Sequence, residues 1–104
     1  MKTFITAVAA IAFAGAMAVD TKTAMAEDGP TLKAVKARGE VICGVHQGRY
    51  GFAIADSQGK WKGLDVDFCR AVAAATLGDS EKVKYIPLGS VQRFPALQSG
   101  EVDT

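Results

Sequence analysis

Histidine, tryptophan, cysteine and proline are scarce in this sequence of 104 residues, and neither sign of charge predominates. One histidine and two cysteines cannot supply the clustered ligands of a zinc site, and two cysteines are too few for a disulfide-rich miniprotein. Twelve basic and eleven acidic side chains leave no basic excess to neutralise nucleic-acid phosphates. The length allows one small domain at most. We therefore expect no metal, no cofactor and no nucleic-acid partner.

Charged residues are also missing between Lys2 and Asp20, where an alanine-rich apolar stretch is found. A short basic start, an apolar core and small residues at an Ala-x-Ala cleavage site are typical of a secretory signal peptide. The stretch is somewhat shorter than the roughly 20 residues that a membrane span needs, and alanine adds little hydrophobicity. These features favour a cleaved signal over a membrane anchor.

The sequence Ala-Met-Ala occurs at residues 16–18 and again at 24–26. We expect cleavage after Ala26, because the polar residues 20–23 then separate the apolar core from the cut. Residues 1–26 are therefore predicted to be the signal peptide, and the exported chain is predicted to have no stable membrane insertion. Export would place it in an oxidising compartment, where two cysteines can pair.

Helical and strand patterns alternate along the rest of the chain. Apolar spacing and turn signals predict a helix at 31–38, a strand at 40–45, a hairpin at 53–62, a helix at 65–77, a strand at 83–88, a helix at 91–99 and a strand opening at Val102. Buried strands separated by a helix imply parallel pairing through a right-handed crossover. The predicted fold class is therefore α/β, an incomplete parallel sheet with flanking helices.

Four side chains have specific expected places in these elements. Thr31 and Asp65 stand where their oxygen atoms could cap the amino ends of the first and second helices. The spacing of Phe94 and Leu97 predicts that both face the core from the third helix. Each of these expectations depends on where its helix begins and how it packs.

Two loops follow the predicted strands, at residues 46–52 and 89–93. Ligands of open α/β sheets bind beyond the carboxyl ends of the strands, so both loops are candidates for a binding site. Tyr50 and Phe52 offer aromatic faces for an ammonium or an apolar side chain. Arg49 and Arg93 offer planar donors that match a carboxylate.

Other reactive residues have plainer interpretations. Asp65 and Asp67 are two positions apart and do not share a helix face, so a first-turn charge is favoured over an acid/base pair. His46 has no other metal ligand suitably spaced. Cys43 and Cys69 lie on a strand and on the helix expected to pack against it, so we predict that they pair in a disulfide, with two buried thiols as the alternative. We predict no catalytic residue.

Two long motifs identify a family. Residues 63–68, Gly-Leu-Asp-Val-Asp-Phe, resemble the G-F-D-V-D-L signature of exported substrate-binding proteins that serve ABC importers of polar amino acids, solute-binding protein family 3. Residues 94–103, Phe-Pro-Ala-Leu-Gln-Ser-Gly-Glu-Val-Asp, resemble the P-A-L-Q-S-G-x-V-D segment of the same family. The segments 43–45, 47–48, 51–52 and 67–70 are most similar to its general L-amino-acid-binding branch.

This resemblance implies a two-lobed, type II periplasmic binding protein that closes around one L-amino acid and docks on the transmembrane subunits of an ABC permease. Residues 27–104 would be the N-terminal part of lobe 1, cut before the Thr/Arg stretch that holds the α-carboxylate, before the hinge and before the second lobe. We therefore expect a truncated chain whose location is the periplasm.

The resemblance also carries over single positions. His46, Gln47, Arg49 and Tyr50 match the first ligand loop, and Ser90 matches the contact position after the second strand. Two residues depart from the family pattern, because the branch more often has an apolar residue and a proline where this chain has Arg49 and Tyr50. These departures leave the ligand preference open. The predicted ligand-binding set is His46, Gln47, Arg49, Tyr50, Phe52, Ser90 and Arg93.

Two other functions belong to the same resemblance. Some relatives of the fold are exported enzymes, such as cyclohexadienyl-type dehydratases, and an enzyme would need acid/base groups, for which only His46 is eligible. A ligand-sensing domain of a receptor would be revealed by a downstream transmembrane segment. The binding-protein interpretation is preferred because it needs no catalytic residue.

We expect the exported protein to begin at Glu27. Signal peptidase cuts after the small residues of an Ala-x-Ala site, and residues 24–26 supply one beyond a polar spacer. Intact-mass spectrometry of the periplasmic fraction measures this directly. An intact Met1 recovered from the membrane fraction would contradict the prediction.

Overall fold

Two parallel strands form the centre of the computed structural model, which describes residues 26–104. The first 25 residues, and with them all of the predicted signal peptide except Ala26, lie outside the described part. The elements are α1 (Pro30–Arg38), β1 (Val41–His46), β2 (Ile54–Ala55), β3 (Trp61–Lys62), α2 (Leu64–Leu77), β4 (Val83–Leu88) and α3 (Arg93–Ser99). This order confirms the α/β fold expected from the sequence.

β1 and β4 pair in parallel, from Val41 opposite Val83 to His46 opposite Leu88. The connection between them contains a small antiparallel hairpin, β2–β3, and the helix α2. A helical crossover is what parallel neighbours require, because the chain must return to the same end of the sheet. The predicted parallel pairing through a helical crossover is therefore confirmed.

Hydrophobic side chains cover the sheet on both faces. One face of β1 presents every second residue to α1 and α2, and this core consists of Val35, Val41, Cys43, Val45, Ala53, Val66, Cys69 and Ala73. The opposite face is covered by a smaller cluster of Leu88, Ala96 and Val102, with Ile42 and Ile86 packed against it. Burial on both faces explains why β1 reads as a continuous apolar run.

The segment from Val102 to Thr104 lies along the free edge of β1. The Asp103 amide donates to the Ile42 carbonyl at 2.8 Å, and the Gly44 amide donates to the Thr104 carbonyl at 2.8 Å, but no regular strand forms. The Asp103 carboxylate also accepts from the Ile42 amide at 2.8 Å and from the Arg38 guanidinium. This side chain therefore ties the segment to β1 and to the end of α1.

Neither of the two predicted helix caps is found. α1 begins at Pro30 with Gly29 as its N-cap residue, and α2 begins at Leu64 with Gly63 in that place, so Thr31 and Asp65 lie inside the helices. Proline suits the first position of α1, because the amide it lacks would have no partner there. The amino end of α2 is satisfied instead by carbonyl groups of a distant loop.

The expectation that Phe94 and Leu97 face the core is wrong. They are 75% and 48% exposed, whereas Ala96 is only 3% exposed. Successive residues of a helix are about 100° apart, so an inward Ala96 turns Leu97 to one side and Phe94 to the far side. The small alanine lets the short helix approach Leu88 and Val102 closely.

Cys43 on β1 and Cys69 on α2 are joined in a disulfide, with their Cα atoms 6.2 Å apart. Both residues are 2% exposed and belong to the larger core. The disulfide therefore links the central strand to the helix that covers it. α2 is the longest described helix, with 14 residues. Within residues 26–104 no helix is long and apolar enough to cross a membrane.

Reduction is expected to lower the free energy of unfolding by about 3 kcal/mol, because the disulfide closes a loop of 26 residues in the unfolded chain. Urea unfolding with and without reductant measures the difference. A Cys43→Ala/Cys69→Ala variant is the control, since reductant should not change its stability. Two freely alkylated thiols in the native, unreduced protein would show that the cysteines do not pair.

Candidate functional site

The two candidate loops leave the sheet at the same end, beyond the carboxyl ends of the strands. β1 ends at His46 and β4 ends at Leu88, and these two residues face each other in the parallel register. A Cβ atom built on Gly89 would lie 3.6 Å from Gln47 Oε1, so the Gln47 side chain reaches the start of the second loop. The structure thus brings two loops that are about 40 residues apart in sequence to one place, as parallel pairing requires.

The first loop closes on itself in a tight turn. Arg49 and Ala53 exchange two backbone hydrogen bonds, of 2.8 and 3.0 Å, and the Phe52 amide also donates to the Arg49 carbonyl. Gly51 has φ 80°, a conformation that side-chain-bearing residues rarely adopt. Tyr50 stands at the tip and is 85% exposed. The turn therefore presents this aromatic ring to solvent.

The amino end of α2 holds the same loop from behind. The Leu64 amide donates to the Gly51 carbonyl at 2.9 Å, and the Asp65 amide donates to the Phe52 carbonyl at 2.9 Å. The first amides of a helix have no partner within the helix, so the loop carbonyls supply what a capping side chain would otherwise provide. Asp65 and Asp67 remain as acidic residues of the first turn, where negative charge is favoured.

The second loop is organised by Gln92. The Gln92 side-chain oxygen Oε1 accepts from the Gly89 backbone amide at 3.0 Å, and the Gln92 backbone amide donates to the Gly89 carbonyl at 3.0 Å. Ser90 and Val91 between them are exposed. Gln92 was not among the residues predicted from the sequence. A glutamine three positions after the glycine that follows a strand is the only local sign of this role.

The predicted site residues do not all lie in one place. Ser90 and Arg93 line a hollow of about 430 Å³ that also includes Gly44, Phe94 and Thr104. Arg93 lines a second hollow of about 470 Å³ as well, beside Gly44, Asp65 and Phe68. Arg93 therefore lies near the middle of β1, whereas Gln47 and the first loop lie beyond its carboxyl end.

His46 is half-buried at the end of β1, and its Nδ1 atom is buried without a hydrogen-bond partner among the described residues. Buried polar atoms are normally paired, so this nitrogen is an exception among the described side chains. Within residues 26–104 no three residues of the types His, Cys, Asp and Glu are grouped to hold a metal ion.

The resolved pKa shifts lie outside the two loops. In the hairpin turn, the backbone amide of Lys60 holds the pKa of the Asp56 carboxyl below its usual value, with further help from the Gln58 amide. Burial raises the pKa of the Tyr85 hydroxyl, whose ring packs against Trp61 at 6.1 Å between centroids. The first effect comes from the hydrogen bonds of the hairpin turn, and the second comes from the packing of β4.

Comparison with known proteins decides the family. The family model of the bacterial extracellular solute-binding proteins, family 3, matches residues 41–104. The chain belongs to this family. The matched region contains both candidate loops, the disulfide and both motifs that indicated the family from the sequence, so that prediction is confirmed.

Two curated relatives are similar over most of the chain. It is 56% identical over 80 residues to the general L-amino acid-binding periplasmic protein AapJ of Rhizobium johnstonii, a match covering 77% of this chain and 24% of the relative. It is 53% identical over 92 residues to the glutamate/glutamine/aspartate/asparagine-binding protein BztA of Rhodobacter capsulatus, covering 88% and 27%. The chain thus spans about a quarter of the length of these relatives.

Among solved structures, a periplasmic binding protein of an ABC transporter from Brucella ovis, with glutathione bound, is 55% identical and superposes with a TM-score of 0.69. The match covers 72% of this chain and 23% of that one. The described α/β unit is therefore part of a type II periplasmic binding protein fold, as the sequence predicted.

We expect Tyr50→Ala to leave the free energy of unfolding within about 0.5 kcal/mol of its original value, because the ring is exposed and stabilises no core. Val45→Ala, on the adjoining strand and 1% exposed, is the contrasting variant and should cost about 2 kcal/mol. Urea unfolding followed by circular dichroism measures both. A loss above 1 kcal/mol for Tyr50→Ala would show that the ring packs in the fold and is not free for a ligand.

Proposed function

We propose that this protein is the amino-acid-binding component of an ABC importer, which captures L-amino acids in the periplasm and delivers them to membrane permease subunits. The observation that carries the proposal is the 56% identity over 80 residues to a general L-amino acid-binding periplasmic protein. The identity to a glutamate/glutamine/aspartate/asparagine-binding protein supports polar amino acids as ligands. The role is capture and release, without bond-making chemistry.

The described residues would form one wall of the binding site. In this proposal residues 27–104 belong to lobe 1, and the ligand sits at the sheet edge between His46, Gln47 and Ser90. Arg49 supplies planar donors for a carboxylate group at this place, and Arg93 supplies them from the neighbouring hollow beside Gly44. A bidentate pair with arginine is the strong form of that contact. Tyr50 and Phe52, 85% and 45% exposed, cover the apolar part of the ligand.

Delivery depends on closure of a second lobe over this wall. A small ligand is held by burying most of its surface, and hinge closure around it is the usual means in two-lobed proteins. Closure also excludes water, which strengthens each charged contact in the site. The permease then distinguishes the closed, loaded protein from the open one.

A chimera provides the test. Residues 27–104 replace the matching segment of the Rhizobium relative, and binding of the common L-amino acids is measured by titration calorimetry. We expect saturable binding that weakens about tenfold or more in Gln47→Ala and Ser90→Ala, because each removes a hydrogen bond made in a closed site. Lys84→Ala, exposed on β4, is the matched control and should bind normally. A folded chimera that binds none of the amino acids would overturn the proposal.

Residues 27–104 by themselves are expected to bind no amino acid with useful affinity. The first-loop side chains Arg49 and Tyr50 are exposed, and an exposed ion pair contributes only about 0–1 kcal/mol. A micromolar complex needs roughly 8 kcal/mol. Calorimetry of the purified chain against a mixture of L-amino acids checks this, and micromolar saturable heat would mean that one wall holds most of the site.

A further inference from the structure

The hydrogen bonds that join the start of α2 to the first ligand loop are made by backbone groups. Leu64 and Asp65 donate their amides to the carbonyls of Gly51 and Phe52, both at 2.9 Å, and Gly63 at the N-cap position has no side chain to compete. The loop conformation and the start of the helix are therefore one unit. Anything that separates them leaves two helix amides without partners.

Gly63 is the residue on which this contact depends. Its backbone has φ 128° and ψ 176°, a combination that residues with side chains rarely adopt. A Cβ atom at this position would overlap the carbonyl group of Phe52 and lie 3.0 Å from the Ala53 amide nitrogen. Both obstacles are backbone, so they yield only if the loop itself moves.

We propose that Gly63 is a positioning residue for the ligand loop: it lets the backbone of Phe52 sit directly on the amino end of α2, which holds Arg49, Tyr50 and Phe52 in place. The claim that this loop binds a ligand rests on the proposed function. The positional claim rests only on the contacts above. This role also explains why the 63–68 motif opens with glycine, because the backbone of Phe52 leaves no space for a Cβ atom at residue 63.

Gly59 is the matched control. It also has a positive φ, of 77°, but a Cβ atom there meets nothing within 4 Å. It lies in the turn of the β2–β3 hairpin, where its amide donates to the Asp56 carbonyl. Gly59→Ala therefore adds the strain of a positive φ without any contact with the ligand loop.

The experiment is amide hydrogen exchange of the purified protein with its disulfide intact, measured by NMR for the original chain, Gly63→Ala and Gly59→Ala. We expect the Leu64 and Asp65 amides to be protected in the original protein. In Gly63→Ala their protection should fall by about tenfold or more relative to the amides of β1, since two local hydrogen bonds are lost. Gly59→Ala should change the protection of the Leu64 and Asp65 amides and that of the β1 amides by the same factor. The NMR signals of the Tyr50 ring should shift only in Gly63→Ala.

Equal loss of protection at β1 and at Leu64 and Asp65 in Gly63→Ala would overturn the proposal. If that variant does not fold, the original protein decides, because Leu64 and Asp65 amides exchanging at the rate of an unfolded chain would also overturn it. No amino acid is needed for either measurement. Failure of the chimera to bind ligand would therefore be a separate result, and would leave this one standing.

Discussion

The parallel register between β1 and β4 is the constraint on which the candidate site depends. It sets His46 opposite Leu88, so that the two loops begin side by side and Gln47 reaches Gly89. A shift of one residue in this register would displace the loops from each other and would also turn the buried side chains of β1 out of the core. The helical crossover that parallel pairing demands supplies α2, whose amino end returns to the same edge and contacts the first loop.

Two further links make a rigid unit of the strand, the helix and the loop. The disulfide between Cys43 and Cys69 joins β1 to α2 within the core. The amides at the start of α2 hold the carbonyls of Gly51 and Phe52. In the proposed site, a loop held by such supports would need little reordering when a ligand binds, and less entropy would be lost as a result.

Much of the fold is visible in the sequence because its signals are local. The strand Val83–Leu88 is found at the residues that its apolar pattern predicted, and β1 and α2 lie within one residue of their expected bounds. The three expected helix ends are glycines with positive φ, at 39, 78 and 100. The expectation for Phe94 and Leu97 was wrong because a short helix has several faces that periodicity alone cannot rank, and Ala96 occupies the inward one.

The sequence by itself determined the family, the order of the elements and the two loops of the candidate site, since motif spacing and hydrophobic period are properties of neighbouring residues. Only the tertiary structure decided how α2 is capped, why residue 63 is glycine and where Arg93 lies. Each of these depends on groups brought together by strand pairing and helix packing. The Phe52 carbonyl beside Gly63 is such a case: the two are 11 residues apart in sequence, and only the folded backbone makes them neighbours.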